Sequence, residues 1–214
     1  SARAWNPADR AANRDLLDEG TLHVARFNAD GSGEWVELVH GRNGLTAANG
    51  FASQADVVTY ARAAGDLVGA TRMDRPEWVA RHPRTGDMYC TLTNNALRGT
   101  AGREGANPAN PRAPNRFGHI VRWTEDSGDH AAKRFRWETF VLAGDPAHAD
   151  EKVRGNLKGD LYASPDGLMI DRRGVMWVQT DVSPSALLRT DHAIYGNNQM
   201  LAVDPDTREA RRFL

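Results

Sequence analysis

A repeat constrains this chain more than any other feature. Pro76-Glu77-Trp78-Val79-Ala80-Arg81-His82 is followed by a turn and then by Asp87-Met88-Tyr89-Cys90-Thr91. Roughly 89 residues later, Pro165-Asp166-Gly167-Leu168-Met169-Ile170-Asp171 is followed by a turn and by Val175-Met176-Trp177-Val178-Gln179. Proline and an acid open both units, and methionine followed by an aromatic opens both return strands. Each unit leads into another hairpin. His119 to Trp123 is predicted to pair with Arg136 to Leu142, and Gln199 to Val203 with Glu209 to Leu214 around Asp204-Pro205-Asp206-Thr207. An opening hairpin, Thr21 to Phe27 and Trp35 to Val39 around the Asn28 to Gly33 turn cluster, looks like these second hairpins.

Two hairpins per repeat predict a four-stranded antiparallel sheet, and such sheets set around an axis are propeller blades. The expected fold is therefore all-β, a partial β-propeller of about two and a half four-stranded antiparallel blades with one inserted helix. With strands lettered a to d, strands c and d of one blade fall at 21–40, a helical insertion at 53–68, one full blade at 76–143 and another at 165–214. The helix starts at Ser53, with Asp56 three residues on as a partner in a capping-box-like pair. Val57, Tyr60, Ala61 and Ala64 recur at helical spacing, and Gly69 closes it. Asn13 to Glu19 reads as a loop or short helix. Such a number of blades does not close a ring, so the chain reads as a piece of one, with open blade edges expected to associate. An all-β sandwich is the alternative architecture.

Composition narrows the function classes. Charged residues make up 26% of the chain, and 27 Lys and Arg against 28 Asp and Glu leave a net charge of −1. No strong field attracts nucleic acid or an anionic membrane. The single cysteine, Cys90, excludes an intrachain disulfide or a cysteine-built zinc site, and on a strand it reads as a small buried hydrophobe. No apolar run is long enough to span a membrane, and Ser1 to Asn6 shows no export signal. Trp78, Trp123, Trp137 and Trp177 fall on strands and read as core. His82, His119 and His148 lack metal-ligand spacing and read as structural.

Blade geometry then places the candidate site. Strands alternate in direction, so b–c loops and d–a connections leave one face of the blades. These are the long ones: Asn94 to Gly118, Asp181 to Asn198, His40 to Arg75 and Gly144 to Ser164. Long irregular loops tend to carry function. Glu77 and Asp166 open the innermost strand of successive blades at that face, while Asn94 or Asn95, and Asp181, close the next strand. Hard oxygen donors converging there suit calcium or another hard cation. The same residues also serve as ordinary turn formers and caps. Lys158, Arg154 and Arg75 sit in loops assigned to that face, where they read either as solvated surface or as contacts for an anion.

Met73-Asp74-Arg75-Pro76-Glu77-Trp78-Val79, His82-Pro83-Arg84-Thr85-Gly86 and Tyr89-Cys90-Thr91-Leu92-Thr93-Asn94-Asn95 resemble the PhoX family of bacterial phosphatases. So do Ser164-Pro165-Asp166-Gly167-Leu168, Gln179-Thr180-Asp181 and Gly196-Asn197-Asn198-Gln199-Met200-Leu201. The resemblance covers the chain from about Asn6 onward. It implies a single six-bladed domain, secretion by the twin-arginine route to the periplasm or beyond, and phosphomonoester hydrolysis at alkaline pH. It also implies Ca2+ and Fe3+ on the axis, with Glu77 of the Pro-Glu-Trp motif as the foremost ligand. The family's Asn-Asn-Cys and Glu-Glu-Asn region has no counterpart here, and Cys90 lies in a different motif, so this stretch alone is expected to be inactive. Asn94, Asp166 and Asp181 rest on strand geometry as further metal ligands, and Lys158 and Arg75 are the candidate phosphate contacts. A calcium-dependent lactonase of the gluconolactonase type, which shares an axial acid set and a similar Pro-Asp-Gly-Leu, is the rival enzyme. A non-catalytic binding propeller is the rival from another class.

Overall fold

The computed structural model describes residues 5–16, 18–189 and 191–214. These fall into two compact units. One comprises the residues up to Arg26 together with Glu34–Thr71, and the other Phe27–Gly33 with Arg72–Leu214. The loop or short helix expected over Asn13 to Glu19 lies partly outside the described residues, and what is described near it is a single 3-10 turn at Ala11–Asn13.

The first unit takes most of the opening hairpin, β1 (His23–Phe27) and β2 (Ser32–Glu37), and the helical insertion. The Ser53 hydroxyl caps the insertion by accepting from the Asp56 N–H at 3.3 Å, as its sequence predicts. The single helix expected over 53–68 is instead two, α1 (Gln54–Thr59) and α2 (Ala61–Leu67). Tyr60, at φ −104° and ψ 39°, leaves the helical region between them. Val57 and Ala64 therefore enter one core from separate short helices, packing with Leu38, Leu45 and Phe51. Gln54 ties this core to the chain leaving β2, donating to Leu38 O at 3.0 Å and accepting from His40 N at 2.8 Å.

The second unit contains two sheets, antiparallel but for one edge pairing. In the first, β3 (Pro76–Arg81), β4 (Met88–Leu92), β5 (His119–Glu125) and β6 (Arg134–Leu142) follow in chain order. The hairpin tip lies along the outer strand: Trp137 N donates to Gly31 O at 2.8 Å, and its indole to Ser32 O at 2.9 Å. Gly33 rests flat on the Phe135 ring, in space that any Cβ would need. Residues read as strands c and d of a separate blade thus contribute their tip to this sheet. The second sheet contains β7 (Lys158–Gly159), β8 (Pro165–Ile170), β9 (Met176–Thr180), β10 (Met200–Val203) and β11 (Glu209–Arg212). Its order is β8-β9-β10-β11-β7, with β7 running parallel to β11. The segment from Gly144 to Ser164, expected as loop, therefore supplies a fifth strand that covers an edge left bare in a four-stranded blade.

The two sheets share a core. Tyr89, Ile120, Phe140 and Val141 from the first are buried with Leu168, Met176, Val178, Leu201 and Val203 from the second. Alternate strand positions supply most of these side chains. A bulge in the β5–β6 pairing lets the consecutive Phe140 and Val141 both enter. Each fully buried aliphatic contributes on the order of 1.5–3 kcal/mol. This face-to-face stacking of twin sheets makes the fold a partial propeller. Trp123 joins the buried set, but Trp78, expected in the core, is 54% exposed. It sits on β3, the inner edge strand, which has only β4 as a bonded neighbour. Cys90 is buried and burial pushes its thiol up to about 12, in keeping with an inert role.

Register fixes which ends meet the loops. Pro76 pairs with Leu92, Leu92 with His119 and His119 with Leu142, forming one row at one end of the first sheet. Pro165 with Thr180, and Gln179 with Met200, form the matching row in the second. The stretches 93–118 and 181–199 leave from these rows.

Candidate functional site

Both inner strands begin with the same backbone device. Arg75 and Ser164, each directly before proline, have φ of +51° and +55°. A residue before proline normally takes an extended conformation with negative φ, and only glycine enters the left-handed region freely. Each carbonyl is caught by the end of the neighbouring strand: Thr93 N donates to Arg75 O at 3.1 Å, and Asp181 N to Ser164 O at 2.9 Å. Register shifts follow at once, between Pro76 and Val79 and between Pro165 and Leu168. Such bulges re-aim side chains next to sites. The re-aimed residues are Glu77 and Asp166.

These acids come together with Asp181 and Asn94 around Arg75. One Arg75 Nη donates to Asn94 Oδ1 at 3.2 Å. The other stands 3.4 Å from Asp181 Oδ2 and 3.7 Å from Glu77 Oε1. Asn94 Nδ2 donates to Ser164 Oγ at 3.2 Å, which turns the amide oxygen toward the guanidinium. The Asp166 carboxyl is raised above its ordinary value, first by burial and then by the negative charges of Glu77 and Asp181. Thr93 Oγ1 and Arg75 partly offset that rise. The cluster is thus short of positive charge. Arg75, Glu77 and Asp181 remain between a third and a little over half exposed, so an incoming ion or anion can reach them.

Other residues singled out in the sequence lie elsewhere. Lys158 is on β7, opposite Glu209 of β11, at the far edge of the sheet from β8. It is not brought to the cluster, because the segment assigned as a loop pairs as a strand. Arg154 is engaged with His148 O at 2.6 Å and with Glu151 at 3.0 Å. Asn95 faces the other way, donating to Asp74 Oδ1 at 2.8 Å and accepting from Leu97 N at 3.1 Å. Asn94 is therefore the amide that meets the acids.

Beneath the cluster lies a buried polar layer that the sequence reading missed. Asp74 is 1% exposed. Its carboxylate accepts from Arg98 Nε at 2.7 Å, Asn95 Nδ2 at 2.8 Å and Asn115 Nδ2 at 3.0 Å. Its own N–H donates to Asn110 Oδ1 at 2.9 Å. His119 Nε2 donates to Ala109 O at 2.7 Å, so Nδ1 accepts from Asn115 at 3.0 Å and the ring is neutral. Burial holds its pKa down to about 4. Arg112 donates to the carbonyls of Ala143 at 2.7 Å, Val153 at 3.1 Å and Arg154 at 3.2 Å, and also to Gly118 O. Gly118, at φ +75°, passes so close to the Thr93 carbonyl that no Cβ fits. The readable signal was the acid at Asp74, directly ahead of Arg75-Pro76-Glu77, together with the density of asparagine in 94–115.

Hard oxygen donors of this kind suit calcium or another hard cation. Among the described residues, however, no three of His, Cys, Asp or Glu are gathered closely enough to hold an ion by themselves. A complete coordination shell would need further donors. Also among the described residues, no helix is long and apolar enough to cross a membrane.

A propeller-like stack whose inner strands gather acids and an arginine defines a class, the β-propeller with a charged site on the axial side. Within that class the chain belongs to the family described as alkaline phosphatase PhoX, which it matches over residues 1–214. A solved structure, Pseudomonas fluorescens PhoX in complex with vanadate, a transition state analogue, is 49% identical, with a TM-score of 0.91. That match covers 100% of this chain and 38% of that one. The chain thus spans well under half the length of the structure it resembles. No curated protein sequence matches it. Membership of this family favours the phosphatase reading over the lactonase and the plain binding propeller.

Proposed function

We propose that these residues form part of the active site of a phosphomonoester hydrolase of the alkaline phosphatase kind, within a six-bladed propeller. One observation carries this reading: a single guanidinium, Arg75, is set among three carboxylates, one of which is already disfavoured as an anion. Glu77, Asp166, Asp181 and Asn94 would hold metal, with calcium and ferric iron as the cations by family resemblance. When bound, such cations neutralise phosphate oxygens and acidify a water.

The chain's own residues do the rest. Arg75 presents two N–H edges at the rim of the acids, a fork that matches two oxygens of a phosphoryl group. Charge stabilisation of those oxygens is the main protein contribution to phosphoryl transfer. The paired bulges keep Glu77 and Asp166 pointed into the same region, so the donors need little rearrangement. The P. fluorescens protein holds vanadate, a transition state analogue, which supports a phosphoryl-transfer site here. The same resemblance supports secretion, to the periplasm or outside the cell.

The test is turnover and metal content of the intact protein carrying Glu77→Ala. Loss of both p-nitrophenyl phosphate hydrolysis and bound metal is expected. Normal turnover with full metal content would overturn the assignment.

A further inference from the structure

We propose that Asp74 is a positioning residue, which holds the Arg75 backbone so that the guanidinium is preset over the acids. The inference rests on the reading of Arg75 as the phosphoryl contact.

The two repeats provide an internal comparison. Arg75 and Ser164 share the left-handed turn before proline and the same carbonyl bond to the next strand. They differ in what secures the turn. Ser164 is 1% exposed, and its N–H goes to Phe117 O at 2.7 Å, while the residue before it, Ala163, has no polar side chain. Arg75 N instead turns back to Met73 O at 3.1 Å, and its side chain is about half exposed. At its tip the Arg75 side chain has the polar contacts to Asn94, Asp181 and Glu77. The residue before it is the one that is fixed: Asp74 is held through its N–H by Asn110 and through its carboxylate by Arg98, Asn95 and Asn115.

The added anchor appears only in the repeat whose turn carries a guanidinium. A long side chain leaving a disfavoured backbone conformation reaches a defined point only if the peptide at its root cannot rotate. Asp74 touches neither Glu77 nor Asp181, so its effect passes through Arg75. Pre-setting of this kind lowers the ordering needed when an anion arrives.

The experiment follows the Arg75 Nε–H resonance by NMR in the intact protein, assigned by its disappearance in Arg75→Lys. In the wild type it is expected to stand apart from exposed arginines and to exchange slowly. In folded Asp74→Asn it should collapse into their envelope, and affinity for inorganic phosphate should fall about tenfold. In an Arg75→Ala background, Asp74→Asn should change phosphate affinity no further, whereas a merely structural role would lower it again. An unchanged Arg75 resonance in folded Asp74→Asn overturns the proposal. If Asp74→Asn does not fold, Asn95→Ala removes one bond to the same carboxylate and carries the same test. Partial collapse of the resonance supports the proposal, and an unchanged one overturns it. Unaltered phosphate affinity in Arg75→Ala would count against the phosphoryl contact alone, because the resonance reports positioning independently.

Discussion

The Thr91 hydroxyl donates to the backbone oxygen of Asp166 at 2.6 Å, and so joins the bulge of one inner strand to that of the next. The Thr91 hydroxyl oxygen itself accepts from Trp78 N at 3.1 Å, beside Glu77. One buried side chain therefore sets the spacing of two acids from different repeats. Thr91→Val keeps the shape and removes the hydroxyl. It is expected to cost about 1–3 kcal/mol by leaving the Trp78 N–H and the Asp166 carbonyl unpaired. Thr91→Ser should restore most of that. Urea unfolding of both variants measures the difference, and metal titration should show the weaker affinity in Thr91→Val.

The buried ion pair gives a larger effect. Arg98 and Asp74 meet at 2.7 Å with side chains 3% and 0% exposed. Arg98→Ala leaves a carboxylate buried with only amide donors. Removing one partner of such a pair costs about 3–5 kcal/mol. Equilibrium unfolding of Arg98→Ala against wild type checks it, and a loss below about 1 kcal/mol, the range of exposed pairs, would show that the pair carries little.

Asp166 predicts a pH dependence of one sign. Its folded-state pKa lies above the ordinary 3.8, so the native state binds its proton more tightly than the unfolded chain does. Stability lost to this residue appears as pH rises from 3.8 through the raised value, and persists above it. In metal-free protein, Asp166→Asn is expected to be at least as stable as wild type near neutrality, and the advantage should vanish below 3.8. Added metal should reverse the order near neutrality. Thermal unfolding with and without cation measures both.

His119 gives the opposite limb. Its pKa falls from 6.5 to about 4 because the ring is buried and neutral. The unfolded chain takes up a proton between these values and the native state does not, so stability should drop by about 3 kcal/mol as pH falls through that window. Chemical-shift titration of the ring carbon and unfolding at stepped pH test it. A ring that titrates near 6.5 would overturn the buried, neutral assignment.

The repeat made the sheets legible, because period-two patterning and matched turns survive in any register of a blade. Glu77 and Asp166 were legible because their offset from the prolines is the same in both units. What the sequence did not show came from long-range pairing. Lys158 looked like a loop cation because two residues of parallel strand leave no periodicity to read. Trp78 looked buried because strand propensity does not say which edge of a sheet a strand occupies. Asp74, Arg98 and Asn115 fell inside segments read only as long loops, since polarity alone cannot reveal which loop residues find buried partners. The break at Tyr60 likewise has no breaker residue to announce it.

Arg112 also bears on engineering. A single side chain reads backbone oxygens at Gly118, Ala143, Val153 and Arg154. Because those contacts are to main chain, they tolerate almost any local substitution but no change in path length. A chimaera that imports 94–118 from a relative would have to import 143–154 with it, as one cassette.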